Sequence, residues 1–250
     1  MQRYFIKSDQ LRDDQAMITG DDVHHIANVM RMSVGDPIII CCDRKSYLTE
    51  VVEINKAGVR VRIVETKAED VELPVLVTIA QGMMKGDKFD LVIQKVTECG
   101  ASNIIPIAMK RSVAKLDEKK AARKIDRWQR IAMEAARQSH RQVVPVVKNV
   151  LDTKGLVQLA AEFDVCLFAY EAHDEAARHK LADVVQKLAR GMRVLVLIGP
   201  EGGIDETEVA LLTKAGFRAV GLGPRILRTE TAPIYVMSVL SYGLEIERRI

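Results

Sequence analysis

The chain has 250 residues, 48% of them apolar, and a formal net charge of +3 at pH 7. That length fits one large domain or a small domain plus a medium one, with enough apolar residues for a substantial core. No run of roughly 18 apolar residues occurs and the N-terminus has no signal-peptide core, so we expect a cytoplasmic protein without a membrane segment.

The positive charge is concentrated in one stretch. Residues 109–148 contain twelve Lys or Arg and four Asp or Glu residues, a net charge of +8, so the rest of the chain carries −5. A basic stretch on a nearly neutral chain indicates contact with a polyanion. The alternative is a solvated helix whose charges only maintain solubility, and composition alone leaves both open.

The four cysteines give no sign of a metal site. Cys41, Cys42, Cys99 and Cys166 show neither C-x-x-C spacing nor a zinc pattern with histidine. We therefore expect reduced, mostly buried thiols and no bound metal.

Residues 1–68 predict a small β-rich domain. Asp21 and Asp22 cap a short helix that buries Val23 and Ile26 and ends at Gly35. Three strands follow, at residues 37–40, 47–54 and 59–64. The polar segment 65–74 ends in a proline, which is typical of a linker, so a second domain is expected over residues 74–250.

Beyond the linker, strand and helix patterns alternate. Strands are predicted at residues 75–80, 103–108, 143–147, 165–169, 194–198 and 217–221. Helices are predicted at residues 86–99, 118–140, 153–162, 174–190 and 205–215, with a last one after Pro233. This alternation predicts an α/β domain built on a parallel sheet with helices on both faces.

Two glycine-containing loops follow late strands of this sheet. The first has the sequence GPEGG at residues 199–203, before a helix that Asp205 and Glu208 cap reciprocally. The second runs from Gly221 to Pro233. Loops at the carboxyl ends of neighbouring parallel strands are where α/β sheets bind small ligands. The turn after the first strand, at residues 81–86, is neither G-x-G-x-x-G nor a P-loop, which disfavours a nucleotide-dependent metabolic enzyme.

The late loops carry a specific family resemblance. GPEGG followed by LGPRILRTETA and a C-terminal helix resembles the cofactor region of the SPOUT, or trefoil-knotted, RNA methyltransferases. Within them the chain is similar to the family that methylates N3 of a uridine in 16S ribosomal RNA. That similarity extends to RYF at residues 3–5, DVHHI at 22–26 with Arg31, GD at 35–36, and KVTECG at 95–100.

The resemblance implies a fold, a cofactor and partners. It implies a small PUA-like RNA-binding β-barrel followed by a knotted parallel-sheet α/β domain. The implied cofactor is S-adenosylmethionine, and the implied partner is 16S rRNA at the decoding centre of the assembled small ribosomal subunit. A homodimer is implied as well, in line with a last helix that is apolar on more than one side. The competing functions are a SPOUT enzyme with another rRNA or tRNA target and a non-catalytic RNA-binding assembly factor.

Candidate residues follow for the cofactor and for the reaction. The predicted cofactor contacts are Tyr170, Glu171, Leu197, Gly199, Pro200, Glu201, Gly202, Leu222, Gly223, Ile226, Leu227 and Thr229. Uridine N3 carries a proton, so a base is needed, and either Glu230 or Glu201 could accept it. Arg228 could stabilise negative charge on the uracil or clamp a phosphate. A structural alternative for Glu230 is an acid that favours the helix N-terminus.

Candidate RNA contacts are basic or histidine side chains. We predict Arg3, His25, Arg31, Lys85, Lys88, Arg111, Arg137 and Arg141. Arg137 and Arg141 are predicted to share one helix face with Arg130. Of the adjacent His24 and His25, one is expected to pack and the other to meet solvent or RNA. Because only 4% of residues are aromatic, phosphate contacts and RNA shape should dominate recognition.

Overall fold

The computed structural model describes residues 1–112, 118–170, 179–248 and 250. Backbone contacts divide the chain into two compact units. The N-terminal unit comprises Met1–Glu72 and Ala136–Val144, and the C-terminal unit comprises Leu73–Ala135 and Pro145–Ile250. The N-terminal unit therefore contains a second segment, taken from the middle of the chain.

The N-terminal unit is built on one sheet, which has six strands among the described residues. The strands are β1 (Arg3–Phe5), β2 (Leu11–Arg12), β3 (Gln15–Ile18), β4 (Pro37–Cys42), β5 (Lys45–Asn55) and β6 (Gly58–Lys67). Their order is β1-β4-β5-β6-β3-β2; β1 pairs with β4 in parallel and the other pairs are antiparallel. The three predicted strands are confirmed, whereas β1 to β3 were not predicted.

Alternating apolar residues of this sheet form the first core. Ile38 and Ile40 on β4 and Val59 and Val61 on β6 are fully buried, and they pack around Tyr4. Asp43 and Arg44 connect β4 to β5 with φ of 47° and 61°. Two left-handed residues are what the mirror-image two-residue turn of a β-hairpin requires.

The first helix begins one residue earlier than predicted. Helix α1 (Asp21–His24) has Gly20, with φ of 77°, at its N-cap position, so Asp21 and Asp22 lie in the first turn instead of capping it. Both carboxylates still favour the positive end of the helix dipole. The chain continues through a π turn (His25–Val29) that buries Ile26.

The C-terminal unit is built on a parallel sheet. Its strands are β7 (Leu76–Gly82), β8 (Asn103–Ala108), β9 (Val146–Val147), β10 (Leu151–Asp152), β11 (Val165–Ala169), β12 (His179–Lys180), β13 (Arg193–Ile198) and β14 (Arg218–Gly221). Their order is β10-β8-β7-β13-β11-β14-β12, with β9 on β8, and every pairing is parallel among the described residues. Since β11 lies between β13 and β14, the loops that leave these three strands are neighbours.

Six α-helices accompany this sheet in the described part of the chain. They are α2 (Lys88–Glu98), α3 (Glu118–Gln138), α4 (Thr153–Gln158), α5 (Leu181–Val185), α6 (Glu206–Lys214) and α7 (Thr231–Ser241). The helix predicted at 174–190 is wrong over residues 179–180, which form β12 because they pair with β14; residues 171–178 lie outside the described residues. Helix α7 begins at Thr231, with Pro233 in its first turn, where a missing N–H is tolerated.

Consecutive apolar residues of the central strands are buried on both faces of the sheet. Val194, Leu195, Val196 and Leu197 all have no exposed surface. This is the pattern expected of a parallel sheet covered on both sides.

No helix within the described ranges is long and apolar enough to cross a membrane. The threading of the C-terminal segment into a knot stays a prediction.

Candidate functional site

The loop after β13 packs closely against the end of β7. A Cβ atom added to Gly82 would lie 2.5 Å from the backbone nitrogen of Pro200, which leaves room for glycine alone. Helix α6 fixes the far end of this loop: Asp205 accepts a hydrogen bond from the backbone N–H of Thr207 (3.1 Å), and Glu208 accepts one from the N–H of Asp205 (3.4 Å). The predicted capping box is confirmed, and the Thr207 hydrogen bonds lower the pKa of Asp205.

A second loop, residues 222–230, leaves β14 and enters α7. Gly223 has φ of 95°, a conformation that side chains rarely adopt. At the end of the loop the carbonyl of Arg228 accepts hydrogen bonds from the backbone N–H groups of Thr231 (2.9 Å) and Ala232 (3.0 Å). The first turn of α7 therefore anchors this loop.

A hydrogen-bonded chain links the two loops to β7. The side-chain Nε2 of Gln81 donates to Thr229 Oγ1 (3.0 Å), and that hydroxyl donates to the carbonyl oxygen of Gly199. Gln81 is fully buried. The end of one strand is thus connected through two side chains to both glycine loops.

The loops surround a cavity of about 610 Å³. Its lining includes Gly199, Gly203, Gly221 and Gly223, and also Tyr170, the residue directly after β11. Ile226, 81% exposed, is a large apolar side chain on its lining. A cavity of this size, mostly apolar with a few placed charges, is typical of small-molecule and cofactor sites.

The charges at this cavity are arranged around Lys88. Its Nζ lies 3.4 Å from Glu230 Oε1 and 3.7 Å from Glu201 Oε1, so one ammonium group holds carboxylates from both loops. Glu230 Oε2 is buried and has no hydrogen-bond partner among the described residues. A hydrogen bond from the backbone N–H of Glu230 itself lowers the pKa of that carboxyl, and Lys88 and Arg228 lower it further. Glu230 is therefore ionised at neutral pH.

Comparison with known proteins assigns the chain to a family. The profile of an RNA methyltransferase domain matches residues 71–241, and that of an RNA methyltransferase PUA domain matches residues 18–64. The chain belongs to this RNA methyltransferase family. The expected fold class, a PUA-like domain followed by a parallel-sheet α/β domain, is confirmed.

Members of the family resemble this chain over nearly its whole length. Ribosomal RNA small subunit methyltransferase E of Bacillus subtilis is 45% identical over 254 residues, which cover 99% of each chain. A crystal structure of ribosomal RNA small subunit methyltransferase E from Neisseria gonorrhoeae bound to S-adenosylmethionine superposes with a TM-score of 0.81 at 29% identity, covering 97% of each chain. A putative methyltransferase from Legionella pneumophila, also bound to S-adenosylmethionine, gives 0.80 at 28% identity over 96% of each chain.

Most residues that we predicted to contact the cofactor line the cavity between the two glycine loops of this chain. The lining includes Tyr170, Gly199, Pro200, Glu201, Leu222, Gly223, Ile226, Leu227 and Thr229, together with Arg228 and Glu230. Leu197 and Gly202 do not line it. Leu197 points into the core beside Ala80, and an added Cβ on Gly202 would lie 3.0 Å from the Cβ of Arg111. Glu171 lies outside the described residues.

The structure adds cavity residues that sequence reasoning missed. Arg225 lines the cavity. Its position within the second glycine-containing loop is the signal that could have identified it from the sequence. Lys88 and Arg111, predicted as RNA contacts, also line it. No local pattern places Lys88 beside Glu230, because the two residues are far apart in sequence. Lys85 is exposed, and its backbone N–H donates to Glu201 Oε1 (3.4 Å).

In the N-terminal unit, the predicted RNA contacts differ in exposure. Arg31 is exposed, with φ of 52°. His25 is half-buried and shares a hydrogen bond with the hydroxyl of Tyr4 (3.0 Å), whereas His24 is exposed. One histidine therefore packs and its neighbour meets solvent, as predicted, but the exposed one is His24. Arg3 donates to Ser46 Oγ (3.0 Å) and to the carbonyl of Arg141 (3.3 Å).

The structure contradicts the predicted exposed face of Arg137 and Arg141. Helix α3 ends at Gln138, so Arg141 lies beyond it, after His140 with φ of 57°. Arg141 is 3% exposed and forms a buried ion pair with Glu72. The side chain of Arg137 is 14% exposed and pairs with Asp22 (2.6 Å). Both guanidinium groups are engaged inside the N-terminal unit, so they do not form a free basic surface.

Proposed function

We propose that this chain transfers the methyl group of S-adenosylmethionine to N3 of a uridine in 16S rRNA, at the decoding centre of the assembled small ribosomal subunit. The observation that carries the proposal is the cavity of about 610 Å³ between two glycine loops, with an ionised Glu230 on its lining. The S-adenosylmethionine bound in two related structures and the name of the Bacillus relative support the choice of donor and RNA.

The residues present fit the proposed donor. Leu222 and Leu227 offer apolar contacts for an adenine, and backbone groups of Gly199 and Gly223 offer donors and acceptors. S-adenosylmethionine is cationic at its sulfonium sulfur and its amino group. The carboxylates of Glu201 and Glu230 place negative charge locally among the cations of the lining, where it can attract the sulfonium or the amino group. The buried, unpartnered Oε2 of Glu230 is an acceptor that the described residues leave unused. When bound, the donor supplies an electrophilic methyl group.

The side chains around the cavity can prepare the uridine. Methylation replaces the N3 proton, which must pass to a base. Glu230 is the better candidate because its side chain is less exposed than that of Glu201, 15% against 29%, and lies closer to Lys88 Nζ. Arg228 and Arg225 are exposed cations on the cavity lining, where they can hold a uracil carbonyl oxygen or a phosphate. Ile226 can cover the reacting atoms and exclude water.

The N-terminal unit is proposed to bind the RNA, and the C-terminal unit to perform the transfer. Arg31 and His24 are its exposed candidates for phosphate contact. A homodimer is also proposed, because α7 buries Val236 and Leu240 within the chain and leaves Ile234, Tyr235 and Val239 partly exposed, so apolar surface remains for a second copy to cover. Light scattering tests the dimer, and a monomeric mass would contradict it.

One experiment tests the whole proposal. Unmodified small subunits are incubated with the protein and methyl-labelled S-adenosylmethionine, and the modified nucleotide is mapped. Label on N3 of a single 16S uridine is the expected result. Label on another RNA would assign a different target. Cofactor binding in calorimetry without label on any RNA would leave a non-catalytic factor. Running deproteinised 16S rRNA in parallel decides whether the assembled subunit is required.

A further inference from the structure

Gln81 combines complete burial with an unused hydrogen-bond acceptor. It lies near the end of β7, has no exposed surface and does not line the cavity. Its Nε2 donates to Thr229 Oγ1 (3.0 Å) and, within the same strand end, to the carbonyl oxygen of Gly82 (3.3 Å). Its Oε1 is buried and has no hydrogen-bond partner among the described residues.

The orientation of this amide is fixed by its neighbour. The hydroxyl proton of Thr229 is donated to the carbonyl of Gly199, so Thr229 Oγ1 can only accept from Gln81. Reversing the amide would place Oε1 against an oxygen that has no proton left to donate. The unpaired oxygen is therefore the consequence of using the amide nitrogen to reach the loop.

Stability alone does not explain a glutamine at this position. A buried amide oxygen without a partner destabilises the folded state, whereas an apolar side chain of similar shape would not. What the amide achieves is the connection of three segments. β7, Gly199 in the first glycine loop and Thr229 in the second are joined by one hydrogen-bonded chain.

We propose that Gln81 is a positioning residue of the donor site, holding the two glycine loops at the separation that S-adenosylmethionine requires. The inference rests on the proposed function. Gln81 acts from behind the cavity through Thr229, without touching the ligand. Its neighbour Gly82 already packs closely on Pro200, so the end of β7 is a fixed point to which both loops are tied.

The test replaces Gln81 with methionine, which keeps the length and loses the donor. We expect the thermal midpoint of the ligand-free Q81M protein to be equal to or above that of the wild type. We expect its dissociation constant for S-adenosylmethionine, measured by calorimetry, to rise about tenfold. A purely structural glutamine would instead lower the midpoint and the affinity together, and that result would overturn the inference.

Gln129 offers a matched control in the same unit. Its Nε2 donates to the carbonyl of Pro145 (3.0 Å) and its Oε1 accepts from the N–H of Val147 (2.9 Å), so both ends of its amide are used. Q129M should therefore lower the thermal midpoint and leave the affinity for S-adenosylmethionine unchanged. A loss of affinity without a loss of thermal midpoint in Q81M, and the reverse in Q129M, would show that Gln81 positions the two glycine loops.

Thr229 tests whether the chain acts as a unit. T229V removes the hydroxyl and T229S keeps it, so T229S should bind S-adenosylmethionine more tightly than T229V. The double variant Q81M/T229V should bind no more weakly than the weaker single variant. Independent, additive losses would overturn the inference. So would equal binding by the wild type and Q81M, which leaves the proposed function intact, whereas a wild type that fails to bind S-adenosylmethionine would overturn both.

Discussion

The two units of this protein use arginine in opposite ways. In the N-terminal unit, Arg141 is 3% exposed and its guanidinium is neutralised by Glu72, whose other oxygen accepts from the backbone N–H groups of Gln142 (2.9 Å) and Val143 (3.1 Å). In the C-terminal unit, Arg225 and Arg228 are exposed on the cavity lining and form no ion pair with any described residue. The net charge of the chain counts these three arginines equally, but only Arg225 and Arg228 have a charge that is available to a ligand.

The first prediction concerns the carboxylate that faces these free arginines. E230Q should lower the methylation rate by about 10²–10⁴-fold, because an amide cannot accept the N3 proton. Its thermal midpoint should stay near that of the wild type. Turnover with the small-subunit substrate and thermal unfolding measure the two effects. E201Q is the matched variant, and a larger loss in E201Q than in E230Q would assign the base to Glu201.

The paired arginine should instead affect folding. R141A leaves the Glu72 carboxylate buried without its cation, so the free energy of unfolding should fall by about 3–5 kcal/mol. Urea unfolding followed by circular dichroism gives this value. R225A, which removes an exposed arginine, should change it by less than about 0.5 kcal/mol. Equal stabilities of R141A and R225A would remove the distinction between the two kinds of arginine.

We expect the acid limb of the pH profile of kcat/KM to depend on the charge of Lys88. Glu230 must be deprotonated to accept a proton, so activity falls as the pH drops through its pKa, which lies below the usual value. K88M removes a cation beside this carboxylate and leaves Arg228 as the charge that faces it, so the pKa of Glu230 rises and the acid limb of kcat/KM moves to higher pH. K95M, on the same helix but paired with Glu98 (2.9 Å), should leave the limb in place. An unmoved limb in K88M would mean that another group titrates.

The smallest effect is expected in the salt dependence of RNA binding. If Arg225 neutralises one phosphate, R225A should reduce the slope of log affinity against log salt by about 0.7–0.9. Binding titrations of 16S rRNA fragments at several salt concentrations measure the slope. K187A, on an exposed lysine that does not line the cavity, should leave the slope unchanged. A slope identical in R225A and the wild type would place Arg225 away from the RNA backbone.

The parallel sheet was largely predictable because its strands are local apolar runs. The strands at 103–108 and 165–169 appear with the predicted bounds, and the Asp205–Glu208 capping box forms as expected. Strands β1 to β3 have only two to four residues, too few for a periodicity to mark them. In addition, β1 and β3 pair with the distant strands β4 and β6, and β2 pairs only with β3. Likewise β12 pairs with β14 across a separation that local patterns do not encode.

The sequence predicted which loops form the candidate site, but not which side chains contact one another there. The glycine spacing placed the cavity at the ends of β13 and β14, and most chosen loop residues line it. The alternation of side chains turned Leu197 into the core, and the end of α3 at Gln138 removed Arg141 from the predicted face. Lys88 and Gln81 act through partners more than a hundred residues away, which a single sequence cannot pair.

The division of the N-terminal unit into two chain segments determines the order in which it can form during synthesis. Met1–Glu72 emerges from the ribosome first, but the segment Ala136–Val144, with the cation that neutralises Glu72, follows only after residues 73–135. Until the nine residues Ala136–Val144 have been synthesised, the carboxylate of Glu72 has no cation with which it can be buried, so the N-terminal unit cannot complete its fold. A protein fragment ending at residue 72 should for the same reason be less stable than that unit within the complete chain.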